Sequence, residues 1–177
     1  MLPHQRRASA VIQEHKCLLL FLKPGGGKTV ATLDALVALG PDAFPVLVLA
    51  PVRVCETVWG QETQAWEHLR HLRTVLLRGS PAKRKKLLQE PADLYLINYE
   101  LLPWLVEQNA LKPYRSIVFD EVSMMKSPGI KRFRAIRNKL EHIPHRIGLT
   151  GTPAGNNLIG MVGEAWTVAG AAAFGRS

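Results

Sequence analysis

The sequence predicts an α/β fold: a doubly wound, mostly parallel β-sheet with helices on both faces, three layers in all (α/β/α). Three observations carry that reading. Apolar runs of about six residues recur along the chain. They are continuous rather than alternating with polar residues, as strands covered on both faces require. Amphipathic helical patterns fall between them, the strand–helix–strand order of a parallel sheet. The 177 residues suit one domain, and 47% hydrophobic against 21% charged residues excludes a disordered chain.

In chain order, the expected strands are Cys17–Leu22, Pro45–Ala50, Arg73–Leu77, Asp93–Asn98, Ser116–Phe119 and Arg146–Leu149. A helix follows the first strand, with Val30, Leu33, Leu36 and Val37 on one face, and Gly40-Pro41 ends it. After Pro51, Val58, Trp59 and Trp66 share a helical face. A further helix follows Ser127-Pro128, where Ser127 can cap and Pro128 can take the first helical position. Its apolar face is Ile130, Phe133, Ile136 and Leu140. No linker or composition break divides residues 1–177.

Several classes fall away. Two unpatterned cysteines, Cys17 and Cys55, exclude a disulfide scaffold and a four-cysteine zinc ribbon. No apolar run approaches the ~18 residues of a membrane span. Arg6-Arg7 precedes an apolar stretch, but Gln13-Glu14-His15-Lys16 interrupts it, and it leads to a glycine loop rather than a cleavage site. A cytoplasmic protein with no membrane association is expected. The net charge of +9 suits a polyanion. Positive charge gathers at Lys83-Arg84-Lys85-Lys86 and along Lys131, Arg132, Arg134, Arg137 and Lys139; the bland reading of either cluster is a solvated helix face.

Pro24-Gly25-Gly26-Gly27-Lys28-Thr29 follows the first strand and opens a helix. Glycines let the backbone curl so that successive N–H groups point at phosphate oxygens. The helix N-terminus adds the positive end of its dipole. Lys28 supplies a mobile charge for β- and γ-phosphates, and the Thr29 hydroxyl is placed to ligate Mg²⁺. The strict pattern has glycine where this chain has Leu22. A flexible turn with a solvated lysine is the bland alternative, and the strand–loop–helix context argues against it.

Ser116-Ile117-Val118-Phe119 runs into Asp120-Glu121, which sets two carboxylates at the sheet's C-terminal edge, where α/β proteins bind ligands. Asp120 would hold Mg²⁺, and Glu121 would orient or deprotonate an attacking water. Together with the glycine loop they form a candidate phosphoryl-transfer site. Other residues receive no chemistry. His68 and His71 read as solvated, Trp59 and Trp66 as core packing, Cys17 and Cys55 as small apolar fillers, and Met124-Met125 as packing under a loop.

With these motifs in order, the chain resembles the N-terminal RecA-like lobe of a superfamily 2 (DEAD/DEAH-like) helicase, of the Swi/Snf-like type found in phages. The resemblance covers nearly the whole chain. Leu2-Pro3-His4-Gln5 resembles the adenine-reading motif, so Gln5 would contact adenine. Pro24 to Thr29 matches Walker A, which in this family tolerates a missing first glycine. Ala50-Pro51-Val52-Arg53 resembles motif Ia, which implies that Arg53 contacts a nucleic-acid backbone. Ile97-Asn98-Tyr99-Glu100 resembles the motif that follows. Asp120-Glu121 is the Walker B pair, and Val122-Ser123 departs from the Ala-His or Ala-Asp of many relatives. Leu149-Thr150-Gly151-Thr152-Pro153 is similar to motif III, which couples nucleotide state to lobe movement through Thr150, Gly151 and Thr152; Asn156-Asn157-Leu158 continues the pattern.

The resemblance implies binding of ATP·Mg²⁺ and of DNA or RNA, largely through the backbone. It implies location in a bacterial host cell if the protein is phage-encoded. The second lobe of the family carries an arginine finger, and no motif of that kind occurs in these residues. The expectation is therefore half a motor, which needs a second RecA-like lobe in cis or trans and hydrolyses ATP slowly alone, since such fingers contribute about 10³–10⁵ in rate. The small-residue segment Gly163 to Ala173 would meet that lobe. A non-catalytic nucleotide- or nucleic-acid-binding regulatory module is the alternative from another class. Function that survives Lys28→Ala would favour it.

Overall fold

The computed structural model describes residues 1–122, 138–140 and 142–151. Within them all six expected strands form: β1 (Cys17–Phe21), β2 (Val46–Ala50), β3 (Thr74–Leu76), β4 (Leu94–Asn98), β5 (Ser116–Asp120) and β6 (His145–Thr150). They make one sheet in the order β1-β6-β5-β2-β4-β3, and every pairing is parallel. All strand C-termini therefore lie on one edge. The register keeps them level on the β1 side, where Phe21 pairs with Thr150 and Asp120 with Leu149.

The continuous apolar runs have the expected cause. Every residue of β2 is fully buried, and its alternate side chains enter two different cores. Val46, Val48 and Ala50 join Ile12, Leu33, Leu36, Cys55 and Trp59 on one face, with Val118 of β5 and Ile147 of β6. Leu47 and Leu49 join Ile97, Leu102, Leu105, Tyr114, Ile117 and Phe119 on the other. A central parallel strand with a polar residue in this run would bury that group without a partner.

The first face carries α1 (Pro3–Glu14) and α2 (Lys28–Leu39), which lie against each other. Helix α2 runs from Gly27 to a stop at Gly40, whose φ of 80° ends the helix while its N–H donates to the Val37 carbonyl at 3.0 Å. Ser9 Oγ of α1 donates to Asp34 Oδ2 of α2 at 2.6 Å, and His68 pairs with Asp34 Oδ1 at 3.2 Å. His68 also meets Trp66 edge-on. His68 is exposed, as expected, and also ties two elements together, a partnership that sequence spacing alone could not reveal. The other face carries α5 (Pro81–Leu87), capped by Ser80 Oγ, which accepts from the Lys83 N–H, and α6 (Leu102–Glu107).

The single helix expected after Pro51 is two helices, α3 (Val52–Thr57) and α4 (Trp59–Ala65). The break at Val58 changes the helical phase. Trp59 turns fully into the core, while Trp66, just past α4, is only half buried and donates its indole N–H to Glu62 Oε2 at 2.9 Å. Core packing holds for both, to different depths. The expected helix over 130–140 lies outside the described residues except for its end, a 3₁₀ turn at Asn138–Leu140 that buries Leu140 against the second core. Met124, Met125, Asn156, Asn157, Leu158, the segment Gly163 to Ala173, and the basic residues Lys131, Arg132, Arg134 and Arg137 also lie outside the described residues.

Candidate functional site

The loop Pro24–Gly27 leaves the end of β1 and turns directly into α2. Gly27 caps α2 with φ 76° and ψ 36°, the left-handed region in which a side chain is strained. A Cβ there would also overlap the Gln5 amide. The first turn of α1 thus packs on the loop. Gln5 is buried, with its Nε2 against Gly27 and its Oε1 accepting the Leu2 N–H at 2.8 Å. His4 Nε2 lies 3.1 Å from the Gly26 carbonyl. Lys28 folds back, with Nζ donating to the Leu22 carbonyl at 3.1 Å. Thr29 is buried one residue further into α2.

Asp120 ends β5 in the centre of the sheet, nearly buried. Burial pushes its carboxyl above the ordinary value. A hydrogen bond from Trp59 and the charge of Lys28 oppose that shift, and the neighbouring Glu121 adds to it. The charge of Lys28, at the start of the helix that follows β1, thus reaches Asp120 at the end of β5, although β6 lies between those strands. Glu121 has φ 60°, rare for a residue with a side chain. Such strain persists only where the surroundings impose it. Here Thr150 Oγ1 donates to Glu121 Oε1 at 3.1 Å. The acidic pair and the end of β6 are therefore in contact despite the unusual Val122-Ser123; Ser123 itself lies outside the described residues.

Gly151 completes the arrangement. A Cβ at this position would come within 3.1 Å of the Pro24 ring, so the segment after β6 packs against the start of the glycine loop. Leu22 N–H donates to the Thr150 carbonyl at 3.2 Å. Thr150 thus touches both the loop and Glu121. Thr152, predicted with these two, lies outside the described residues, as does Pro153.

Sequence reasoning missed the partners of Asp120. Trp59 Nε1 donates to Asp120 Oδ2 at 2.9 Å, fully buried. Tyr99 Oη donates to the Asp120 carbonyl at 2.9 Å. Burial, with Asp120 and Glu121 nearby, pushes the Tyr99 phenol well up, so it remains a donor. Cys55 packs in the same core, and its Sγ donates to the Ala50 carbonyl at 3.5 Å. Burial pushes its thiol up to about 11, which makes it the inert filler expected. The one available signal was position: a tryptophan on the helix after β2, beside the strand that ends in the carboxylates.

Arg53 is exposed in the first turn of α3, on the same sheet edge. Beside it, Val52, Cys55, Glu56, Leu76, Leu77, Arg78 and Asn98 line a cleft of about 130 Å³. Arg78 and Glu56 form an ion pair there. In the run 83–86, Lys83, Lys85 and Lys86 are exposed on α5. Arg84 instead lies 4.3 Å over the Trp104 ring and donates to the Gly79 carbonyl at 2.7 Å, a structural arginine.

The site has the chemistry to accept a divalent cation. Asp120 is a buried carboxylate whose charge is disfavoured by burial and by a second carboxylate next to it. A cation at this carboxylate would relieve both. Among the described residues no helix is long and apolar enough to cross a membrane.

Residues 4–163 match the SNF2-related domain family. The chain is 37% identical over 163 residues to protein p41 of Acyrthosiphon pisum secondary endosymbiont phage 1, covering 86% of this chain and 35% of that protein. It is 31% identical over 144 residues to the transcription regulatory protein SNF2 of Saccharomyces cerevisiae, covering 76% of this chain and 8% of that one. The chain thus spans about a third or less of the relatives it matches. Among solved structures, it is similar to the Sulfolobus solfataricus SWI2/SNF2 ATPase core in complex with dsDNA, with a TM-score of 0.76, 25% identity, and coverage of 94% of this chain and 35% of that one. The Pyrococcus furiosus Hef helicase domain shares the fold, with a TM-score of 0.71, 20% identity, and coverage of 93% and 35%.

Proposed function

Since the chain belongs to the SNF2-related family and is the N-terminal RecA-like lobe of a superfamily 2 helicase core, we propose that it binds ATP·Mg²⁺ at the C-terminal edge of its sheet and a nucleic-acid backbone beside it. One observation carries the reading. The glycine loop, the carboxylate pair and Thr150 converge at that edge, with Lys28 charge acting on Asp120 and Thr150 bonded to Glu121.

Each residue then has a task. The loop N–H groups of Gly25, Gly27 and Lys28 cradle phosphate oxygens at the start of α2, next to Pro24, while the Gly26 N–H closes the turn on the Lys23 carbonyl. Lys28 exchanges the Leu22 carbonyl for the β- and γ-phosphates. Gln5, held on Gly27, presents its amide to adenine. Thr29 and Asp120 hold Mg²⁺, which supplies charge neutralisation for the phosphates. Glu121 orients the attacking water or takes its proton. Thr150 and Gly151, with Thr152, couple the state of the phosphate site to movement of the lobe. Arg53 contacts phosphates of the nucleic acid. The double-stranded DNA bound to the archaeal ATPase core favours DNA over RNA. Efficient hydrolysis requires a second RecA-like lobe, in cis or in trans, to supply an arginine to the transition state.

Binding of a fluorescent ATP analogue tests the reading. We expect Lys28→Ala to weaken it about 10–100-fold, the worth of a charge-assisted hydrogen bond to phosphate. Undiminished affinity in that variant would overturn it.

A further inference from the structure

The Asp120 carboxylate is not held by its own strand alone. Its Oδ2 accepts from the Trp59 indole at 2.9 Å, and its main-chain carbonyl accepts from the Tyr99 hydroxyl at 2.9 Å. Both donors are packed against a core. Trp59 is fully buried in the first core, and Tyr99 follows β4 and packs against the second. Side chain and backbone of Asp120 are thus clamped from opposite faces of the sheet.

An indole has one N–H and no acceptor, so at this position it can only donate. A buried N–H left unpaired is costly, which favours this pairing once the ring is packed. Trp59 also opens α4 directly after the break at Val58.

We propose that Trp59 is a positioning residue for the cation: its buried indole N–H engages Oδ2 of Asp120 and so presents Oδ1 to Mg²⁺ or its water. The proposal rests on the reading of Asp120 as the metal carboxylate. Partners that orient a metal ligand in this way usually contribute about 10–100-fold to metal affinity.

The test separates the hydrogen bond from the packing. Trp59 is replaced in the full chain by 3-benzothienylalanine, which keeps the bicyclic shape and puts sulfur where the N–H was. A second preparation carries 5-fluorotryptophan, which retains the N–H. Mn²⁺ binding is followed by electron paramagnetic resonance with a non-hydrolysable ATP analogue present, and analogue binding is also measured in chelator. The sulfur isostere should bind Mn²⁺ about tenfold more weakly, with metal-free analogue affinity unchanged, and the fluorinated protein should match the natural one. Trp59→Phe, which also removes the N–H but shrinks the ring, should show the same metal defect in a less stable protein. Unchanged Mn²⁺ affinity in the isostere would overturn the positioning role. So would an equal loss of metal-free analogue binding, which marks a merely structural tryptophan. If the natural protein bound the analogue but no Mn²⁺, or failed to bind the analogue at all, the reading of the whole site would fall, and the positioning role with it.

Discussion

Gly27 and Gly25 both sit at positive φ, 76° and 75°, yet they differ in what surrounds them. Nothing lies within 4 Å of a Cβ at Gly25, whereas the Gln5 side chain occupies that space at Gly27. Gly25→Ala therefore meets only the left-handed backbone penalty, about 1–2 kcal/mol. Gly27→Ala meets the same penalty and must also expel Gln5. We expect denaturant titration to show the larger loss of stability for Gly27→Ala, and ATP-analogue titration to show the larger loss of affinity. Equal effects would mean that Gln5 yields freely and is no part of the site. The positions of these residues were legible in the sequence because the glycines and lysine, like the paired carboxylates, directly follow apolar runs, and those runs are β1 and β5. Trp59 was not. A tryptophan on a helix reads as core, it is core, and its hydrogen bond exists only once β2 and β5 are neighbours.

The strands were legible because both of their faces are buried, so each one is apolar throughout. The helices were legible only where a wide apolar stripe faces the sheet. Helix α2 has one, in Val30, Leu33 and Leu36. Helix α1 does not, since it docks through Gln5, Ala8, Ser9 and Ile12, two of them polar. Helix α5 buries no residue fully, and α6 is short. Such faces depend on tertiary partners, as the Ser9–Asp34 hydrogen bond shows. This gives α1 a role beyond packing, because its first turn braces the glycine loop. Ile12, at its far end, is almost wholly buried. We expect Ile12→Ala to lower stability by about 2–5 kcal/mol. We also expect weaker ATP-analogue binding at concentrations where the protein stays folded, although Ile12 lies helical turns away from the loop. Circular dichroism with the same titration checks both outcomes. Intact nucleotide affinity in a destabilised protein would show that the brace is dispensable.

At the scale of the molecule, the parallel sheet brings every strand C-terminus to one edge and so gathers motifs scattered along the chain. The +9 net charge adds an attraction for polyanions that is not tied to any one motif. Binding to double-stranded DNA should weaken steeply with salt, and Arg53→Ala should reduce the slope of log K against log[salt] by about one. Fluorescence anisotropy over a salt series measures this, and a slope unchanged by Arg53→Ala would move the contact elsewhere. The same topology orders events in time. β1 is the first strand to be made, yet among the described residues its one neighbour in the sheet is β6, the last of the described strands. Pairing of Cys17 with Arg146 closes almost the whole described length of chain, and such distant closures come late and slowly. On the ribosome, the glycine loop emerges well before the threonine that joins the end of its strand to Glu121 has been translated.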